Sequence, residues 1–256
     1  MVEESWVFVE NKYLFMFDWI LSSLLPRKNL KTEPLVETET HYTTGSHTLY
    51  IIIPPWRGKL DYFQRLRNKI RKEGNSFIEY QFASGILSPD IENTRDLFIK
   101  IRNKIVNEIK SLNSQYKFSE IEVIGVSLGC VEALMIANAN PYVNKITLVV
   151  PGNSLASSVW YGLRTRYIKG IIEAKGTTLD VLEKEWSILA PENNIDSLRG
   201  KKINVWLSKN DKVIPYYLGA RLVDRMKSMG LNPTVKINER LGHYGTVLKF
   251  YLFPAT

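Results

Sequence analysis

Three residues far apart in the chain have the types needed for nucleophilic acyl chemistry: Ser127, Asp211 and His243. Ser127 lies in Gly125-Val126-Ser127-Leu128-Gly129, directly after the apolar run Ile121-Glu122-Val123-Ile124 and directly before an apolar helical stretch. A serine on a sharp strand-to-helix turn is lifted above a sheet at the positive end of the next helix, and its flanking positions must be small. A serine hydroxyl is a weak nucleophile and needs a base. Of the three histidines, His41 and His47 precede Ser127, so only His243, in Leu241-Gly242-His243-Tyr244-Gly245, follows it. That stretch reads as a glycine-flanked loop past the last strand. An acid that orients the imidazole should sit at a strand end between the two. Asp211, in Ser208-Lys209-Asn210-Asp211-Lys212-Val213-Ile214-Pro215, follows the apolar run Ile203–Leu207. Asp180 and Asp196 fall elsewhere, in a helical insertion, and Asp224 falls on a helix. Asn210 reads as a turn former with no acid role.

The elements that must carry these residues alternate between short apolar strands and longer amphipathic helices. That pattern predicts a mostly parallel sheet with helices on both faces. Thr48–Ile53 (TLYIII) reads as a buried strand. Val36–Tyr42 alternates before it, and Thr44-Gly45-Ser46 lies between, so the two are expected to form an antiparallel hairpin. Asp61 with Gln64 reads as a capping box for a helix ending near Gly74. Ser88-Pro89 reads as the cap of a helix running to about Leu112. Further strands are expected at 77–82, 120–125, 145–150, 202–207 and 234–237, and further helices at 128–139 and 217–229, the last closed by Gly230. The fifty residues 151–200 are too long for a simple connection and rich in aromatic side chains. They are expected to form a small helical cap inserted after the sixth strand. The plain alternative is an extended crossover. The expected organisation is an N-terminal segment with the first strands (1–47), a first core part (48–150), the cap (151–200) and a second core part (201–256).

The turn at Ser127, the Asp-x-Val-Ile-Pro run at Asp211 and the Gly-His loop at His243 together resemble the α/β-hydrolase superfamily, over roughly 48–150 and 201–256. The resemblance implies the α/β-hydrolase fold, a Ser127–Asp211–His243 triad and an acyl-enzyme mechanism, with no metal and no organic cofactor. It also implies an oxyanion hole made from the Leu128 N–H and an N–H of the loop after 48–53. That loop reads Ile53-Pro54-Pro55-Trp56-Arg57-Gly58, departing from the common His-Gly pattern. Neither proline has an N–H, so Trp56 is the first available donor. The Pro-Pro-Trp run with Asp61 also has a short likeness to poly(hydroxyalkanoate) synthases, whose nucleophile is a cysteine. Here Ser127 holds that place, and Cys130 reads as a small buried residue. An aspartate at the turn, as dehalogenases and epoxide hydrolases of this superfamily have, is missing. The expected activity is hydrolysis of a small-molecule carboxylic ester or thioester. Acyl transfer on the same triad, or ligand binding without turnover, are the alternatives. Trp160 and Tyr161 are the candidate pocket residues of the aromatic cap.

Composition bounds the rest. In 256 residues, 45% are apolar and 23% charged, which excludes a disordered chain. The net charge is +8: residues 48–256 carry +11, with thirty basic against nineteen acidic side chains, and residues 1–47 carry −3. The basic residues spread through helices and no nucleic-acid motif is visible, so no nucleic-acid partner is expected. Tyr13–Leu25, followed by Arg27, Lys28 and Lys31, has the composition of an interfacial helix. Such stretches more often pack on their own domain, which is the expectation here. The start Met-Val-Glu-Glu lacks a basic signal region, and one cysteine cannot form an internal disulfide, so a cytoplasmic setting is expected.

Overall fold

The computed structural model describes residues 35–56, 63–83 and 85–253. The stretch 13–25, expected to pack on its own domain, Arg57, Gly58 and the Asp61 cap lie outside them. The described residues form a seven-stranded sheet: β1 (Leu35–His41), β2 (Thr48–Ile53), β3 (Ser76–Phe82), β4 (Glu120–Val126), β5 (Lys145–Val149), β6 (Lys202–Ser208) and β7 (Thr234–Asn238). Their spatial order is β1-β3-β2-β4-β5-β6-β7, and only β1 runs antiparallel.

The expected hairpin of 36–42 with 48–53 does not form. Both edges of β2 are taken by parallel ladders to β3 and β4, so β1 pairs with the far side of β3. The connecting turn wraps the start of β3. The Thr43 N–H donates to Ser76 Oγ at 3.0 Å, and the Ser76 N–H donates to Ser46 Oγ at 3.0 Å.

The strands are apolar on both faces because both faces are covered. On β2, Leu49, Ile51 and Ile53 pack on one side, and Tyr50 and Ile52 on the other. The first side is covered by α2 (Ile91–Tyr116), α3 (Gly129–Ala139) and α7 (Tyr216–Ser228). The second is covered by α1 (Gln64–Lys72) and α8 (His243–Leu252). The long helix α2 begins later than expected. Its cap is Asp90, whose carboxylate accepts from the Asn93 N–H at 3.0 Å, rather than Ser88.

Between β5 and β6 the chain is helical and not an extended crossover. It forms α4 (Leu155–Tyr161), α5 (Arg166–Ala174) and α6 (Leu179–Glu185), joined by short 3-10 turns. This insertion follows β5, the fifth strand of the described sheet rather than the sixth. Ser154 and Thr178 cap α4 and α6 with their hydroxyls. Buried Trp186 docks the segment on the core, its indole N–H donating to the Ile91 carbonyl at 2.9 Å. Ser157 on α4 donates to Glu183 on α6 at 2.5 Å.

Candidate active site

The three chemistry-bearing residues leave the sheet at the C-terminal ends of β4, β6 and β7, the end where open parallel sheets gather their sites. Ser127 is the turn between β4 and α3. Its φ is 54°, a left-handed conformation unusual for a residue with a side chain. Its N–H donates to the Val149 carbonyl at 2.8 Å, which ties the turn to the neighbouring strand. The flanking glycines are required by contact. A Cβ on Gly125 would lie 2.6 Å from the Gly129 carbonyl oxygen, and one on Gly129 would lie 2.5 Å from that of Ile53. Any larger residue would push α3 away from the sheet.

Asp211 sits in the turn after β6 and is buried. Its Oδ1 accepts from the backbone N–H groups of Val213 and Ile214, each at 2.8 Å. Those two donors fix the carboxylate and leave Oδ2 facing His243 Nδ1 at 2.7 Å. His243 Nε2 lies 3.0 Å from Ser127 Oγ. The three side chains therefore form one continuous hydrogen-bonded line. His243 is not in a loop as the glycines suggested. It is the first residue of α8, with Gly242 as the cap, and is buried.

Asn210, read from the sequence as a turn former, and Ser208, given no role there, hold the acid and the imidazole together. Asn210 Nδ2 donates to the Glu239 and Arg240 carbonyls at 2.9 and 3.3 Å, and Ser208 Oγ donates to the Leu241 carbonyl. Both clasp the Asp211 turn to the chain that leads into His243. Nothing in the sequence distinguishes them from ordinary turn residues.

Ser127 opens into a cavity of about 530 Å³, a volume that includes its solvent-open mouth. Leu128 and Trp56 both line it beside Ser127. The Leu128 N–H stands in the first turn at the head of α3, where no preceding helical turn supplies a carbonyl. The insertion supplies one wall. Leu155, Ser158 and Val159 face the cavity at the i, i+3, i+4 spacing of one helix side. The expected aromatic pair does not. Trp160 packs against the core beneath Lys169, and Tyr161 is exposed against Tyr217. The periodicity of α4 was the available signal, because Trp160 and Tyr161 fall off the side that Leu155 sets. Cys130 also reaches the cavity but is buried, and burial pushes its thiol pKa up, away from the reactive thiolate.

Among the described residues no cluster of His, Cys, Asp or Glu is placed to hold a metal ion. No helix there is long and apolar enough to cross a membrane.

No protein-family model matches the sequence, and no curated protein matches it. Solved structures do resemble the fold. An esterase of Pyrococcus furiosus matches with a TM-score of 0.59 at 17% identity, over 90% of this chain and 91% of its own. An acetyl xylan esterase from a Paenibacillus species matches with a TM-score of 0.61 at 13% identity, over 82% of this chain and 73% of that one. An acylaminoacyl peptidase of Pyrococcus horikoshii matches with a TM-score of 0.62 at 12% identity, over 85% of this chain but 37% of the peptidase. At such identities the likeness is one of architecture. Taken with the strand order, the antiparallel edge strand and the turn at Ser127, it gives this chain the α/β-hydrolase fold.

Proposed function

We propose that the protein is a serine hydrolase that cleaves a carboxylic ester or thioester. The observation that carries this reading is the unbroken line from Ser127 Oγ through His243 to Asp211, opening into a largely apolar cavity. In the first step Ser127 Oγ attacks the substrate carbonyl carbon while His243 Nε2 takes the hydroxyl proton. Asp211 accepts from Nδ1, fixes the tautomer and stabilises the imidazolium. The oxyanion is held by the N–H groups of Leu128 and Trp56. The bond from carbon to the leaving group breaks, His243 returns the proton to the leaving alcohol or thiol, and an acyl-Ser127 ester remains. Water then attacks that ester with His243 as base, releasing the acid and restoring the hydroxyl.

In this reading residues 151–200 act as a cap that forms one wall of the acyl pocket. The esterase architecture of the solved neighbours is in keeping with it. The test is steady-state hydrolysis of short 4-nitrophenyl esters by the wild type and Ser127→Ala. The expected loss in kcat is at least ~10⁴-fold with the fold intact. Retained turnover in Ser127→Ala would overturn the assignment.

A further inference from the structure

The cavity at Ser127 is largely apolar, with the hydroxyls of Ser127, Ser154, Ser158 and Thr165 on its lining. Among the described residues that line it, Arg164 is the one with a charged side chain. It sits in the short turn Leu163–Thr165 between α4 and α5, and that turn is anchored on both sides. The Leu163 N–H donates to the Lys212 carbonyl at 3.1 Å, beside Asp211. Thr165 Oγ1 donates to the carbonyls of Val159 and Gly162, at 2.8 and 3.2 Å. The guanidinium carbon stands 5.8 Å from the centre of the Tyr244 ring, and that ring meets His243 edge-on at 5.3 Å. At that distance the exposed guanidinium has a cation–π attraction to the ring, which favours a position beside His243. No ion pair joins Arg164 to an acidic side chain among the described residues. Among the described residues its forked donors therefore stay unpaired by any acid, on the same cavity as the nucleophile.

We propose that Arg164 is a specificity-determining residue that receives an anionic group of the substrate, so that the preferred esters carry a carboxylate or phosphate near the scissile bond. This rests on the hydrolase reading above. The apolar walls take the carbon skeleton while Arg164 pairs with the anion through charge-assisted hydrogen bonds. The +8 net charge of the chain also favours the encounter with an anion.

The anion could stand on the acyl side or on the leaving group, and two substrate pairs separate these. The first is 4-nitrophenyl hydrogen glutarate against its methyl ester. The second is 4-(butyryloxy)benzoate against its methyl ester. The reading is the ratio of kcat/KM for the acid over the neutral member of each pair. In one pair the wild type favours the acid, and Arg164→Gln lowers that ratio roughly tenfold or more, the size expected for a charge-assisted hydrogen bond. Arg164→Lys, which keeps the charge but loses the fork, falls between the two. Arg225→Gln removes the same charge from an exposed position off the cavity and serves as the control for the overall field.

A ratio unmoved by Arg164→Gln in both pairs, or lowered equally by Arg225→Gln, overturns the Arg164 proposal while neutral-ester hydrolysis leaves the hydrolase reading standing. If neither the acids nor the neutral esters are turned over, the hydrolase reading fails and the proposal falls with it.

Discussion

Ser127 holds a backbone conformation that most side chains avoid, and its neighbours explain why it can. The Val149 carbonyl takes its N–H, and two glycines let α3 and the end of β2 close around it. Asp211 is equally over-determined, since two backbone donors hold one oxygen and leave the other for the imidazole. Asp211→Asn keeps an oxygen for those donors but can present an amide N–H to His243. The imidazole is then driven to the wrong tautomer. The expected result is a fall in kcat on the order of 10⁴-fold with an unchanged melting temperature. A fall of tenfold or less in a folded Asp211→Asn protein would show that the acid lies elsewhere.

At the scale of elements, the junction of β4 and α3 is closely packed, backbone against backbone. Gly129→Ala places a methyl 2.5 Å from the Ile53 carbonyl oxygen, a contact that only movement of backbone relieves. Overpacking of this kind costs about 1–3 kcal/mol, so thermal melting should show a drop of several degrees together with lost activity. The helix α3 carries a second tension. Glu132 is fully buried, and no described residue hydrogen-bonds its carboxylate oxygens. Burial pushes its pKa well above the ordinary carboxylate range, and the charge of Arg102 draws it back only in part. The folded state thus keeps a proton that the unfolded chain releases once pH passes the ordinary carboxylate range. Stability falls as pH rises from there until the raised folded-state pKa is reached. Glu132→Gln has no such term. Its advantage in melting temperature over the wild type should be small near about pH 4 and grow toward neutrality. An advantage independent of pH would contradict this reading of Glu132.

These elements also show where sequence reading works and where it stops. The turn at Ser127 was legible because tight packing admits few residue types, and glycine on both sides of a serine after an apolar strand records that constraint directly. His243 was legible by elimination among three histidines, although its place at the head of α8 rather than in a loop was not. The β1 pairing was misread because proximity in sequence favours a hairpin, while the actual partner is set by which edges β2 has free. The cavity wall was misread because α4 is only 7 residues long, too short for its period to stand out against two conspicuous aromatics.

At the scale of the whole molecule, a sheet covered on both sides gathers three distant residues at one end, and a helical segment inserted between β5 and β6 walls the space above them. The insertion is tied to the core by Trp186 and to the Asp211 loop through Leu163, so the pocket wall and the triad are joined directly. The architecture was readable from alternating elements. The charge at the pocket mouth was not, because one arginine among many basic residues carries no mark in the sequence.

The central claim is that Ser127 is an activated nucleophile. It is tested most directly by labelling the intact protein with a fluorophosphonate probe and mapping the adduct by peptide mass. One adduct on Ser127, lost in His243→Ala and in Ser127→Ala, is the predicted result. A folded wild-type protein that takes no label, or one labelled equally well without His243, would contradict it.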